Sequence, residues 1–342
     1  MVPLKKLLLF ALLIPLASLA QTESHDFYTK DTILNFATGS WQVRISAPKS
    51  DITPRAAIIM APGQGEMGAN AVPSTLGRYG PHYWLGAGWD GSVKLGNGIH
   101  YPILITVEYR NNYYPTALAA YDVLTYLLKT LPINPRAVHL TGLSQGAFTW
   151  GALILLELTS GAESGMKLVS TLTALEGTPD PLPAPYSTWS RGTAAYKVWA
   201  KKYGGRYFYL EGSGTDNFRD GWQWATPMND TLGGSAYFSY ETLGGGAHCC
   251  WNDMYNPAHN NWTCVGTLGP YNGASQVGKN QMGSYRNGQN IFQWMLANGD
   301  STLAVPSSSI SPPVILPPKK TILSVTTTYL YSDSTKETII RP

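Results

Sequence analysis

Residues 137–156 leave the surrounding chain little freedom. Ala137-Val138-His139-Leu140-Thr141 is a short apolar run of strand character. Ala147-Phe148-Thr149-Trp150-Gly151-Ala152-Leu153-Ile154-Leu155-Leu156 reads as a buried helix. Between them stand only Gly142-Leu143-Ser144-Gln145-Gly146, the pattern G-x-S-x-G. A strand that becomes a helix over so few residues presses the serine into strained backbone geometry. The flanking glycines leave room for the turn, the hydroxyl stands exposed at the top of a sheet, and the helix N-terminus points at it. Such an elbow presents a nucleophile. The alternative, a glycine-rich turn that happens to hold a serine, accounts for neither the strand before nor the helix after.

The rest of the chain repeats this alternation. Strands are expected at Thr32–Phe36, Trp41–Ser46, Ala56–Met60, Pro102–Glu108, Ala137–Thr141, Leu168–Ala174, Tyr207–Glu211 and Ala236–Thr242. Helices are expected at Ala117–Leu131, Ala147–Thr159, Ala194–Lys202 and Gln289–Ala297. Apolar strands alternating with helices predict a mostly parallel central sheet of about eight strands, covered on both faces. With the elbow, this is the α/β-hydrolase fold, expected over residues 21–299. Residues 300–320, rich in Pro and Ser, read as an extended linker. Residues 321–342 read as a β-hairpin around Ser332-Asp333-Ser334, either docked on the main domain or the stub of an appended β domain.

Residues 1–20 are expected to be a signal peptide. Lys5 and Lys6 precede the apolar run Leu7–Leu19, and small residues end it at Ala20. The apolar run is shorter than the roughly 20 residues that span a bilayer. The mature protein is therefore expected to be secreted or periplasmic, with no membrane association after cleavage. Removing Lys5 and Lys6 lowers the formal net charge from +3 to +1, so no basic field exists to attract nucleic acid. Charged residues make up 13% of the chain, alongside 11 Trp and 21 Tyr, a composition that suits an exported protein meeting polymer surfaces or simply one with a large core. Three cysteines occur: Cys249, Cys250 and Cys264. Export favours a disulfide from Cys250, or else Cys249, to Cys264. A zinc site using His248, His259 and these thiols is the alternative, but the spacing matches no zinc pattern, so no metal is expected.

A nucleophilic serine needs a base, and the base needs an orienting acid, in the chain order Ser, Asp or Glu, His. His25 precedes the fold, His82 and His100 precede the elbow, and His139 lies on the strand leading into it. His248 remains, after the last strand and the flexible Gly244-Gly245-Gly246-Ala247; His259 sits in a polar surface stretch. The acid should follow the strand ending at Glu211. Asp216 is the first candidate and Asp220 the second. The oxyanion hole is expected from the backbone N–H groups of Gln145 and of Gln64, in the loop Met60-Ala61-Pro62-Gly63-Gln64-Gly65-Glu66. That loop also fits G-x-G-x-x-G over Gly63–Gly68, but no apolar helix follows to present its N-terminus to a pyrophosphate. Neither a dinucleotide nor any other cofactor is expected. Trp222, Trp224 and Trp251 flank the acid and base loops, where they either line an aromatic cleft or pack the loops.

Pro62-Gly63-Gln64-Gly65-Glu66 resembles the H-G-x-G-E oxyanion loop of secreted esterases: poly(3-hydroxybutyrate) depolymerase-like, feruloyl or acetylxylan esterase-like proteins, and bacterial "predicted peptidases". Gly80-Pro81, the run Ile133–Ser144, Gly246-Ala247-His248 with Trp251, and Phe292-Gln293-Trp294-Met295-Leu296 resemble further segments of the same group. Ala61 departs from it, standing where a histidine is usual, and so does Cys249-Cys250 directly after the histidine. The resemblance implies a serine carboxylic ester hydrolase acting on a small ester or an acylated polysaccharide. Polyester or peptide cleavage would use the same machinery, and a carbohydrate-binding protein on an inactivated hydrolase fold is the non-enzymatic alternative.

Overall fold

The structure, a computed structural model, describes residues 27–49, 53–156, 165–177, 189–211, 236–239, 250–258, 289–299, 325–330 and 336–341. The strands are β1 (Phe27–Phe36), β2 (Gly39–Pro48), β3 (Arg55–Ala61), β4 (Val93–Leu95), β5 (Gly98–His100), β6 (Ile103–Tyr109), β7 (Ile133–Leu143), β8 (Thr171–Leu175), β9 (Arg206–Glu211), β10 (Ala236–Ser239), β11 (Val325–Leu330) and β12 (Lys336–Arg341). The helices, numbered here in chain order, are α1 (Gly80–Gly86), α2 (Ala117–Thr130), α3 (Gln145–Ile154), α4 (Trp189–Tyr203), α5 (Trp251–Met254) and α6 (Ile291–Gly299).

Ten strands form one sheet in the order β10-β9-β8-β7-β3-β6-β2-β1-β11-β12. The strands from β3 and β6 outward through β10 run parallel, whereas β2 is antiparallel to β6 and to β1. With the small β4–β5 hairpin set aside, the third and fourth strands of the main sheet exchange places. This is the strand order of the α/β-hydrolase fold.

The parallel strands carry apolar side chains on both faces because both faces are buried, with polar residues such as Thr106, Glu108, His139, Thr141, Thr171 and Thr173 buried among them. Ala57, Ile59, Val138, Leu140, Leu172, Tyr207 and Tyr209 face one core, which α2, α3 and α4 cover with Leu124, Trp150, Tyr196 and Trp199. Ile58, Met60, Leu143, Leu175, Phe208 and Leu210 face a second core, closed by Met254 after α5's start and by Phe292, Trp294 and Met295 of α6. Helix α2 starts at Thr116, whose side chain accepts from the Ala119 N–H at 3.1 Å, and ends before Pro132.

Most expected elements lie where the sequence places them, with shifted ends. Strand β7 begins at Ile133 rather than Ala137, running through Pro135 where its register against β3 slips. Leu168 belongs to a 3-10 turn, and β8 starts at Thr171. Helix α1 was not expected: Gly80 at φ +71 turns the chain and Pro81 opens the helix. The tail strands β11 and β12 continue the sheet, β11 pairing antiparallel with β1 from Lys30↔Tyr329 to Leu34↔Val325. Residues 1–20 and 300–320, expected as leader and linker, lie outside the described residues.

Candidate active site

Strand registers align the carboxyl ends of four strands. Ala61 pairs with Gly142, Leu143 with Leu175, and Leu175 with Leu210. The chain therefore leaves the sheet side by side at Pro62-Gly63-Gln64, at Ser144 and at Glu176, with β9 running on to Glu211 beside them. Ser144 caps α3 at φ +48 and ψ −118. Its N–H donates to the Leu175 carbonyl at 2.8 Å, and its own carbonyl accepts from the Ala147 N–H at 3.0 Å. Both elbow glycines are sterically required. A Cβ on Gly146 would stand 1.9 Å from the Ala61 carbonyl oxygen, and one on Gly142 would stand 2.3 Å from the Gly146 backbone. The tight strand-to-helix turn expected from the sequence is present.

The loop after β3 comes close to the serine: a Cβ on Gly63 would lie 3.7 Å from that of Ser144. Gln64 is exposed and starts a 3-10 turn, while Gln145 is the first residue of α3. Both N–H groups sit where helical geometry supplies no acceptor. Glu66 closes the 3-10 turn and is buried, with Arg78 3.0 Å from its carboxylate. Burial pushes the Glu66 carboxyl up, against the pull of Arg78. The loop runs on into further 3-10 turns at Gly68–Asn70 and Thr75–Gly77, so no helix stands behind Gly63–Gly68 as a dinucleotide site requires.

Trp251 and Asn252, just after His248 in the chain, contact Glu176 after β8 and the chain around the start of α1. The Trp251 indole N–H donates to the Glu176 carboxylate at 2.6 Å, and the ring packs edge-on against Tyr79 at 5.2 Å between centroids. The Asn252 amide donates to the Arg78 carbonyl at 3.2 Å, and the Trp84 indole donates to the Asn252 carbonyl at 2.8 Å. Of the residues singled out from sequence, Ser144, Gln145, Gln64, Trp251 and Cys250 are described; Cys250 caps α5 at φ +71. Asp216, Asp220, His248, His259, Trp222, Trp224, Cys249 and Cys264 lie outside the described residues.

Sequence reasoning missed Glu176. The signal was available as a carboxylate directly after the buried strand Thr171–Leu175 and directly before Gly177. Among the described residues three non-glycines adopt positive φ, and they are Ser144, Glu176 and Cys250.

Two of the described histidines, His82 and His139, have structural roles. His82 is buried between the Thr106 hydroxyl at 2.7 Å and the Ser46 hydroxyl at 3.1 Å, and burial lowers its pKa to about 3. His139 is buried beside the Thr171 hydroxyl at 2.9 Å, and burial likewise lowers its pKa to about 3. Among the described residues no cluster of His, Cys, Asp or Glu is arranged to hold a metal ion, and no helix is long and apolar enough to cross a membrane.

No family model matches the chain, and no curated protein does. Solved structures resemble it in fold. A thermostable esterase shares 13% identity at a TM-score of 0.43 over 67% of this chain and 60% of its own. A hyperthermophilic esterase from Pyrobaculum calidifontis shares 12% at 0.41, over 64% and 76% respectively. A fungal esterase from Rhizomucor miehei shares 12% at 0.41, over 65% and 76%. The chain thus spans about three fifths of the length of the first of these.

Proposed function

We propose that this chain is an exported serine carboxylic ester hydrolase. The observation that carries the reading is Ser144 at φ +48 on a strand-to-helix elbow, with the Gly63-Gln64 loop beside it. In this reading Ser144 attacks the ester carbonyl and His248 takes its proton as general base. Asp216 holds the imidazole tautomer and stabilises the imidazolium. The Gln64 and Gln145 N–H groups bind the tetrahedral oxyanion. The alcohol leaves with the proton from His248, and water then releases the acyl group from Ser144.

The substrate class we favour is an acyl group on a polysaccharide, as in the secreted esterase group that the loop and elbow motifs resemble. Trp222 and Trp251 would border the sugar side of the site. Trp251 has only its ring to offer there, because its N–H is engaged by Glu176. We also place a disulfide between Cys250 and Cys264, which would tie the loop after His248. Turnover of p-nitrophenyl acetate and butyrate, a peptide amide and a feruloylated sugar tests the reading in one panel. Ester turnover without amide turnover is expected. Amide turnover alone would make the chain a peptidase, and inertness towards every compound would make it a binding protein.

A further inference from the structure

Glu176 is fully buried, and α/β chemistry as assigned above gives it no task. It stands at φ +48, in the left-handed region that a residue with a side chain adopts only when its surroundings compel it. Those surroundings belong to the candidate site. The Glu176 N–H donates to the Leu210 carbonyl at 2.8 Å, fixing it to the end of β9. On its other side, Ser144 donates to the carbonyl of Leu175, one residue before. Gly177, one residue after, abuts the elbow so closely that a Cβ there would lie 2.3 Å from the Ser144 carbonyl oxygen. From this position the carboxylate accepts the Trp251 indole N–H at 2.6 Å. Trp251 follows Cys250, another of the positive-φ residues, and is three positions after His248.

We infer that Glu176 is a positioning residue for the hydrolase: its carboxylate clasps Trp251 and thereby sets where the chain carrying His248 meets Ser144. A buried carboxylate is costly unless donors surround it, and a hydrogen bond from an indole to an ionised acceptor is among the stronger kinds. The clasp is short and rigid at both ends. Glu176 is held by the β8–β9 register, and Trp251 is held by Tyr79 and by the Asn252–Arg78 bond. Arg78 also braces Glu66 in the loop after β3. One set of contacts therefore ties Trp251 and Asn252, the elbow and the expected oxyanion loop together. Displacing a reacting group by about 1 Å costs around a hundredfold in rate, so such a brace governs turnover without touching substrate.

The inference rests on the esterase reading, and its test separates the two. Glu176→Ala, Glu176→Gln, Trp251→Phe and the Glu176→Ala/Trp251→Phe double variant are compared with wild type on one soluble ester, with hydrogen exchange followed over residues 250–256. Glu176→Ala and Trp251→Phe should each lower kcat about ten- to a hundredfold with KM little changed. The double variant should be no worse than the poorer single, because both remove one contact. Glu176→Gln keeps an acceptor for the indole and should restore kcat to within several-fold of wild type. Exchange over 250–256 should rise in the Ala variant and stay near wild type in the Gln variant. Independent, additive losses would overturn the clasp. So would a Glu176→Gln as crippled as Glu176→Ala, which would give Glu176 the acid role instead. If wild type turns over no ester, the hydrolase reading fails, and the exchange pattern alone decides the clasp: unchanged exchange in Glu176→Ala would overturn it.

Discussion

Ser144 holds a sparsely populated backbone conformation that costs about 1–3 kcal/mol, and the close approach of Gly142 and Gly146 to neighbouring backbone explains what enforces it. That strain has a use if the hydroxyl must stand clear of the sheet. The histidine it needs requires an acid, and two single substitutions separate the candidates. Asp216→Asn should lower ester turnover by up to about 10⁴-fold, because the amide stabilises the wrong imidazole tautomer. Asp220→Asn, beside Arg219, should stay within a few-fold. The reverse pattern in folded variants would move the acid four residues along the loop. Glu108 offers a test by pH. It is buried on β6 with the Thr75 hydroxyl 2.7 Å away, and burial raises its pKa to about 8. The folded state thus holds a proton that the unfolded chain releases near pH 4.5. The stability this group supports is complete below that value and lost as pH rises through about 8. Glu108→Gln should therefore flatten the profile and be more stable than wild type at pH 9 by about 1–3 kcal/mol. Denaturant titrations from pH 5 to pH 9 check this, and parallel profiles for the two proteins would refute it.

Among the elements, α5 and the tail hairpin make opposite demands. Helix α5 has one turn and cannot be stable alone, so its place depends on Trp251, Asn252 and the chain on either side. A Cys250–Cys264 bridge would close a short loop just there. Reduction should lower the melting temperature by an amount corresponding to about 2–4 kcal/mol and diminish ester turnover. Mass spectrometry that finds three free thiols in exported protein would contradict the bridge. The β11–β12 hairpin lies five strands from β7, about 24 Å across the sheet. Truncation after Gly299 should leave kcat nearly unchanged while exposing the edge of β1, with lower stability and a tendency to associate. Light scattering and kinetics on the truncated chain test both halves. Loss of activity in a soluble, monomeric truncation would mean that the hairpin reaches the site in some other way.

Across the whole molecule, the legible features were those written in local pattern. The runs at β3, β7 and β9 carry apolar residues at consecutive positions, such as Ile58-Ile59-Met60 and Tyr207-Phe208-Tyr209-Leu210, because two cores meet on them, and that requirement is visible in the sequence. The elbow was legible because its glycines have no sterically permitted substitute. Helix α1 was not, since Gly80-Pro81 opens it within a stretch lacking apolar periodicity. Glu176 escaped because its partner Trp251 is 75 positions away, and only the β8–β9 register together with α5 brings them into contact. The attachment of β11 to β1 is likewise a pairing between the two ends of the chain that no local signal encodes. Catalysis in this reading begins at the Ser144 hydroxyl, and a covalent probe tests that hydroxyl. Wild-type protein and Ser144→Ala are treated with a fluorophosphonate, the modified residue is located by peptide mass spectrometry, and ester turnover is measured on both. Stoichiometric modification of wild type at Ser144 is expected, with none in the folded Ser144→Ala variant and turnover reduced there by about a thousandfold or more. Modification and turnover that persist in Ser144→Ala would contradict it.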